Sequence, residues 1–591
     1  MYRTNSMSSA MNRAMLAGTA AFLAFVLIGC GGGNGNYQSL AVTPTIAVTP
    51  ATANVQAGSS QQFVATVTNS LDDTVTWEVN GVIGGNMLTG TIGVNGVYTA
   101  PPVVPSPPNV TVTAILNAAT NYSANSILAI TTAVFNNSSL QGNYILSLKG
   151  IAADGSPFYA LGAVTANGNG NITGGEEDLN DANSGYTHAA SVTGDYAVGP
   201  DGRGTLNLNS SLGSFSYAIA LRATNNAGLN EIDKAVFNAT GSLESQSGGV
   251  TAPSGNYAFG FTGTSSACEA LNSTGIFGWS SGAVGGQQDV NCAGMITQSQ
   301  AQSGSYAGID SMGRGTGSFS ANTGSSNFDY YVISANRYRF LCRDSGTAFL
   351  GSADLQTQTT FATSDFNGNY IIASSASSPG AFAGSLALIN ASGGNIPAGY
   401  LDINSTGTFN SYNLTGAYSL SANGYVNGTL NTPAAAFPFS MYLVSPAQGY
   451  YLDLRTDISG SGTVYAQNLT LATEGNLSWA GSYATEQFGY YVGSGVISPG
   501  NSTTVGGQIS SNGSGALSGT LDINDPGGLF PGLPLQGSYS MGVSILGRGT
   551  AKITSSDGTR NYIAYIIDQQ RVELLETDSS ITAVGDAIRQ F

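Results

Sequence analysis

Gly142-Asn143-Tyr144-Ile145-Leu146-Ser147-Leu148 opens a pattern that returns as Gly255-Asn256-Tyr257-Ala258-Phe259, Gly368-Asn369-Tyr370-Ile371-Ile372 and Gly481-Ser482-Tyr483-Ala484-Thr485. The four tyrosines fall 113 residues apart each time. A period that long encodes a whole domain copied four times, because solenoid repeats run only ~20–50 residues. Leu146 and Leu148, alternating with small or polar neighbours, read as one face of a strand. Tyr144, Tyr257, Tyr370 and Tyr483 are therefore expected in a core, with their hydroxyls bonded at a rim.

Other landmarks recur around this beat. An Asp-apolar-Asn step stands at Asp178, Asp289, Asp402 and Asp522, each followed two residues later by Asn180, Asn291, Asn404 or Asn524. A second tyrosine follows at Tyr196, Tyr306, Tyr418 and Tyr539. Gly-Arg-Gly-Thr surrounds Arg203, Arg314 and Arg548, whereas the third copy has Gly424-Tyr425-Val426-Asn427-Gly428-Thr429. An aspartate closes the penultimate strand at Asp233, Asp344, Asp457 and Asp578, and a glutamine closes each copy at Gln246, Gln356, Gln467 and Gln590. The repeats are placed at 138–250, 251–363, 364–476 and 477–591.

Each copy reads as short strands joined by hairpin-length turns, in the first copy at 142–150, 157–166, 170–180, 190–198, 203–211, 213–223, 229–235 and 239–246. Antiparallel strands without helices must close into a barrel or pair into a sandwich to bury one face and protect their edges. Short connections favour neighbour-to-neighbour pairing. The fold class is thus all-β, with four tandem antiparallel domains of ~110 residues; an up-and-down barrel is preferred and a sandwich is the alternative. The composition agrees: 81 glycines, 8% charged residues and 52 Tyr plus Phe against 3 Trp suit Gly-rich turns and aromatic cross-strand pairs.

The formal charge is −17, and removing Arg3 and Arg13 of the first thirty residues leaves −17 − 2 = −19. No Lys/Arg patch is visible, so nucleic acid is not an expected partner.

At the amino terminus, Arg3 and Arg13 precede an apolar run from Met15 to Ile28, too short for a comfortable membrane span. It ends Leu27-Ile28-Gly29-Cys30, which resembles a bacterial lipobox. The resemblance implies cleavage before Cys30 and its acylation, with residues 1–30 as signal peptide. Several acyl chains anchor stably where one does not. Gly31-Gly32-Gly33-Asn34-Gly35-Asn36, within 31–40, reads as a flexible tether. Position 31 is Gly rather than Asp, so by the same resemblance nothing retains the protein at an inner membrane, and the outer membrane or cell surface is the expected location.

Residues 41–133 differ from the repeats. Val42-Thr43-Pro44, Gln61-Gln62-Phe63-Val64-Ala65-Thr66-Val67, Val75-Thr76-Trp77-Glu78-Val79-Asn80-Gly81, Gly96-Val97-Tyr98-Thr99-Ala100-Pro101 and Val110-Thr111-Val112-Thr113-Ala114 are short alternating runs between turns, as in a β-sandwich. In this order they resemble bacterial Ig-like domains, which implies Trp77 in the core of a central strand and no active site. With the lipobox, the whole chain resembles bacterial surface lipoproteins carrying tandem β-strand repeats.

Catalysis finds little support. His188 is the single histidine, lies outside every recurring landmark and reads as a solvated residue. Glu176 and Glu177 form an acid cluster with Asp178 and Asp181, but the second copy has Gln287 and Gln288 there, so a glycosidase pair is not a property of the repeat. No enzyme and no cofactor are expected. Asp178, Asn180, Asp181 and Asn183 are weak candidates for a calcium site; a strand-capping role is preferred for the recurring Asp and Asn. Arg203, Arg314 and Arg548 are expected to pair with Asp233, Asp344 and Asp578 inside each domain. Cys268, Cys292 and Cys342 all lie in the second copy. One disulfide with one thiol left over fits an exported chain, with Cys268–Cys292 preferred.

The reading is a lipid-anchored, cell-surface structural or adhesive protein, multivalent through its tandem domains, with surface polysaccharide or protein as partner. The alternative is a binding protein holding apolar or glycan ligands inside its barrels; an exported polysaccharide hydrolase is least supported.

Overall fold

The computed structural model describes residues 43–590 apart from 87, 102–103, 133, 223–224, 234–236, 249, 322–323, 470–474, 494–498, 543–544 and 546. Cys30, the expected signal peptide and the tether lie outside the described residues.

Residues 45–131 form a sandwich. Thr52–Gln56, Ser123–Thr131, Asn109–Leu116, Val75–Val79 and Val82–Ile83 make one sheet, faced by Ser60–Gln62, Val97–Thr99, Gly90–Ile92 and Gly85–Asn86. Alternation along Asn109–Leu116 sends Val110, Val112 and Ala114 inward, where they meet Trp77, Phe63 and Tyr98.

Each repeat is a closed antiparallel barrel. In the second, Gly255–Ser265, Leu271–Ser280, Ala283–Cys292, Met295–Tyr306, Arg314–Ala321, Gly324–Ser334, Arg337–Cys342 and Thr347–Leu355 pair in chain order. The third runs from Gly368–Ser378 to Ser459–Ala466 and the fourth from Gly481–Tyr491 to Ile581–Arg589, also with eight strands each. The first runs from Gln141–Ala152 to Phe237–Ser245. Its fourth strand is split into Gly185–Ala189 and Thr193–Val198, which pair with the two ends of Asn171–Asp181 where the other barrels have one continuous strand, a break that the sequence pattern does not announce.

The recurring Gly-x-Tyr lies where each barrel closes. Tyr144, Tyr257, Tyr370 and Tyr483 sit opposite Ser245, Leu355, Ala466 and Arg589 of the last strand. Their rings are buried, and three of the hydroxyls reach the turn between the sixth and seventh strands, donating to Ala335 O (2.8 Å), Pro446 O (2.8 Å) and Gln569 O (3.2 Å). Tyr144 instead accepts from the Gln141 amide at 3.0 Å. Inward-facing side chains fill the barrels, with Leu146, Leu148, Leu206, Tyr217 and Leu229 in the first and Tyr257, Phe259, Phe277, Trp279 and Phe340 in the second. Eight strands leave an interior just wide enough for such filling.

The four barrels close into a ring, so that the first touches the second and the fourth. Three joints carry apolar clusters: Ile145, Leu161, Tyr331 and Leu341 between barrels one and two; Ala258, Tyr442, Val444 and Tyr450 between two and three; Ile371, Leu386, Tyr565 and Leu575 between three and four. The joint between four and one is polar, built on Asn230, Asn238, Thr504 and Asn524.

Candidate functional site

The recurring polar residues meet at these joints. On the third strand of a barrel, Asp and Asn share the outward face because they stand two positions apart, with one residue between them. Asp178 accepts from Arg314 of the next barrel at 2.7 and 3.2 Å, from Tyr331 at 2.7 Å, and locally from Tyr186 at 2.6 Å. Asp402 accepts two bonds from Arg548, both 2.7 Å, and one from Tyr565 at 2.6 Å. Asp522 accepts from Arg203 at 2.7 Å, which joins the last barrel to the first. Burial pushes the Asp178 carboxyl up, but the hydrogen bonds and charge of Arg314, with Tyr186 and Tyr331, hold it below the ordinary carboxylate range. At the remaining joint Tyr425 stands where the other copies have arginine. There Asp289 is bonded by the Ser299 amide at 2.6 Å and Tyr442 at 3.4 Å, and burial raises its carboxyl.

The asparagines and glutamines complete each joint. Asn180, Asn291, Asn404 and Asn524 donate to carbonyls of Cys342 (2.7 Å), Asp453 (2.8 Å), Glu576 (2.8 Å) and Glu231 (3.1 Å) in the next barrel. Gln246, Gln356, Gln467 and Gln590 donate to Val332, Leu443, Ile566 and Leu221 O at 2.7, 2.9, 2.9 and 3.1 Å. Each glutamine lies against the glycine that opens the next barrel's Gly-Arg-Gly-Thr turn. A Cβ on Gly202, Gly313, Gly424 or Gly547 would come within 2.7, 2.6, 3.0 or 2.5 Å of the glutamine Nε2, and φ there is +81°, +85°, +87° and +69°. Both space and conformation therefore require glycine, including in the third copy, which lacks the arginine.

Two expectations are corrected by this geometry. Arg203, Arg314 and Arg548 do not pair with Asp233, Asp344 and Asp578 of their own barrels; they cross to Asp522, Asp178 and Asp402, and Arg314 also holds Asp329 of its own barrel at 2.9 Å. Asp344 and Asp578 instead bind the backbone and side-chain amides of Asn327 and Asn561. The recurring Asp-apolar-Asn is chiefly a joint rather than a strand cap, although Asn291 does accept from the Gly294 amide at 2.8 Å. Asp178 and Asn180 face the second barrel, while Asp181 bonds Ser156 and the amides of Asn183 and Ser184, so the candidate calcium ligands do not converge. Among the described residues no cluster of three His, Cys, Asp or Glu is placed to hold a metal. His188 is an edge-strand residue whose Nδ1 is 2.7 Å from Asp178 Oδ1, so it does touch a recurring landmark. Glu177 bonds Ser210 at 3.4 Å beside the core residue Tyr217, and burial lifts its carboxyl to about 7. Cys268 and Cys292 are joined in a disulfide, and Cys342 is a buried free thiol.

Ring closure creates a site that no single repeat contains. The first, second, seventh and eighth strands of the barrels turn outward-facing residues toward the ring axis, around a cavity of about 640 Å³. At one level the paired first and last strands present Ser147 with Ser242, Gly260 with Ser352, Ala373 with Thr463, and Glu486 with Asp586. Small side chains at three of these four positions leave the space open. Arginines then bridge barrels: Arg222 to Glu486 at 2.8 Å, Arg337 to Glu244 at 3.5 Å, and Arg571 to Tyr465 at 2.9 Å. Tyr450 donates to Asp354 across the second joint at 2.7 Å. Lys149 is different, lying 5.5 Å over the Phe488 ring with no ion pair among the described residues. Burial lowers its ammonium, with Glu486 and Asp586 opposing the shift. The signal available in the sequence for this lining was slight, since its charged residues differ from copy to copy.

No protein-family model and no curated protein matches the chain. Among solved structures, the isotype 1 transferrin binding protein B from serogroup B Neisseria meningitidis is similar at 10% identity, over 64% of this chain and 83% of that one. The TM-score is 0.17, which carries no argument about this chain.

Proposed function

We propose that the protein is a lipid-anchored scaffold of the bacterial cell surface, whose ring of barrels binds extracellular polymers or neighbouring surfaces. The single observation that carries this reading is the use of the residues shared by all copies. Asp, Asn and Gln of every repeat are spent on barrel-to-barrel contacts, which is the chemistry of a rigid frame. The filled barrel interiors favour recognition outside the barrels over ligands held inside them. Fixing four domains in one ring holds their loops in set positions, so several weak contacts act together without the entropy cost of a flexible string. The sandwich of residues 45–131 serves as the spacer between Cys30 and the ring.

The test has two parts. The full chain expressed in a Gram-negative host is expected in the membrane fraction with acyl groups on Cys30, and Cys30→Ser is expected to release it. The purified ring is expected to bind at least one extracellular polysaccharide or envelope preparation in a sedimentation assay. Retention of unacylated protein in the membrane, or no binding to any surface polymer, would overturn the corresponding part.

A further inference from the structure

We propose that the axial cavity binds an acidic sugar, its carboxylate on Lys149 and its ring against Phe488, Tyr490 and Phe382. This rests on the surface-binding reading above and names a ligand class for it.

Four observations converge. The volume, about 640 Å³, lies in the range of small-ligand sites and suits one or two sugar rings. Arg222, Arg337, Arg339 and Arg571 around it already hold Glu486, Asp354, Glu244 and Glu573, and Asp586 is shared between Arg222 and Arg571. Lys149 is the one lining cation without such a partner among the described residues. A half-buried ammonium with no anion within ion-pair distance is costly, and a ligand carboxylate would relieve that cost. One free cation suits a monoanion such as a uronic acid; a phosphate dianion would call for more than one. Glu486 and Asp586, the acids that act on Lys149, are engaged by Arg222 at 2.8 and 3.6 Å, which reduces their repulsion of an anion.

The aromatic group supplies the other half of a sugar site. Phe382 of the third barrel lies 5.2 Å from Tyr490 and 6.4 Å from Phe488 of the fourth, between ring centroids. Lys149 comes from the first barrel, directly opposite Tyr159, another lining residue. Apolar C–H faces of a pyranose pack on such rings, while the hydroxyl of Ser375 in the same lining meets its polar edge. Three barrels contribute, so the site exists only when the ring is closed.

Titration calorimetry of the full chain with digalacturonate and with the uncharged disaccharide of the same linkage tests this. Saturable binding of the acid is expected, with at least ten-fold weaker binding of the neutral sugar. Lys149→Met is expected to weaken the acid at least ten-fold, Lys149→Arg to retain most of it, and Phe488→Leu to weaken both sugars. Small-angle scattering of each variant shows whether the ring stays closed. Equal affinity for both sugars, no heat with the acid, or unchanged binding by a closed-ring Lys149→Met would each overturn the proposal. Polymer sedimentation that persists in Lys149→Met would keep the surface-binding reading while removing this site, so the two failures are distinguishable.

Discussion

Replacing Asp402 by alanine removes the acceptor at the centre of the joint between the third and fourth barrels. Three donors lose their partner: Arg548 Nε and Nη2, each at 2.7 Å, and the Tyr565 hydroxyl at 2.6 Å. Asp402 is fully buried, and the Arg548 side chain is only 18% exposed, so water does not readily replace the carboxylate. Breaking one side of a buried pair costs about 3–5 kcal/mol, most of it from the stranded charge. Removing both partners is less harmful than the two single losses added together. A double-mutant cycle of Asp402→Ala with Arg548→Ala is therefore expected to show a coupling of about 2–4 kcal/mol. The same cycle on Arg548 with Asp578, in its own barrel, is expected to be additive within ~0.5 kcal/mol. The assay is urea unfolding followed by tryptophan fluorescence, because Trp479 is wholly buried in the fourth barrel. Additivity for Asp402 with Arg548, or strong coupling for Asp578, would refute the inter-barrel assignment.

Among the described residues the joint between the fourth and first barrels has no apolar cluster, and these two barrels are not consecutive in the chain, so Arg203→Ala with Gln590→Ala is expected to open the ring there. A larger radius of gyration would be seen by small-angle scattering, whereas Arg548→Ala leaves the outline unchanged; an unaltered radius in the double variant would contradict this. Burial lifts Glu177 from 4.5 to about 7, so the folded state binds more protons than the unfolded state between those values. Its contribution to stability is full below about 4.5 and is lost as pH rises toward 7, a change on the order of 3 kcal/mol. Glu177→Gln is expected to raise the melting temperature at pH 8 more than at pH 5, and equal shifts would count against it. Reducing Cys268–Cys292, 24 residues apart, is expected to destabilise the second barrel by ~3 kcal/mol. Burial pushes the Cys342 thiol up to about 12, so in native protein it should resist iodoacetamide until that barrel unfolds; rapid labelling would argue otherwise.

Much of the barrel was legible because its causes are local. Alternation around Tyr144, the glycine turns and the 113-residue beat each report on neighbouring strands. The split fourth strand of the first barrel was missed because Gly185–Ala189 pairs by tertiary context, through Tyr186 and His188 reaching Asp178. The Arg–Asp pairing was assigned to the wrong partner for a related reason. Within one repeat Arg314 and Asp344 are near in sequence, but Arg314 meets Asp178, 136 residues earlier, and Asp329 of its own barrel instead. Nothing in a strand pattern says on which outward face a neighbouring domain will sit. The axial lining was hidden further, since Lys149, Arg222, Glu486 and Phe382 occupy no shared position.

Sequence alone determined that this chain is four copies of one β-domain behind a different β-module, because strand alternation and turn glycines act over a few residues. It also determined which polar residues every copy keeps. Only the tertiary structure decided what those residues do. Burying Asp, Asn and Gln without loss requires partners, and those partners lie in the next domain around a ring whose last joint pairs Gln590 with Leu221.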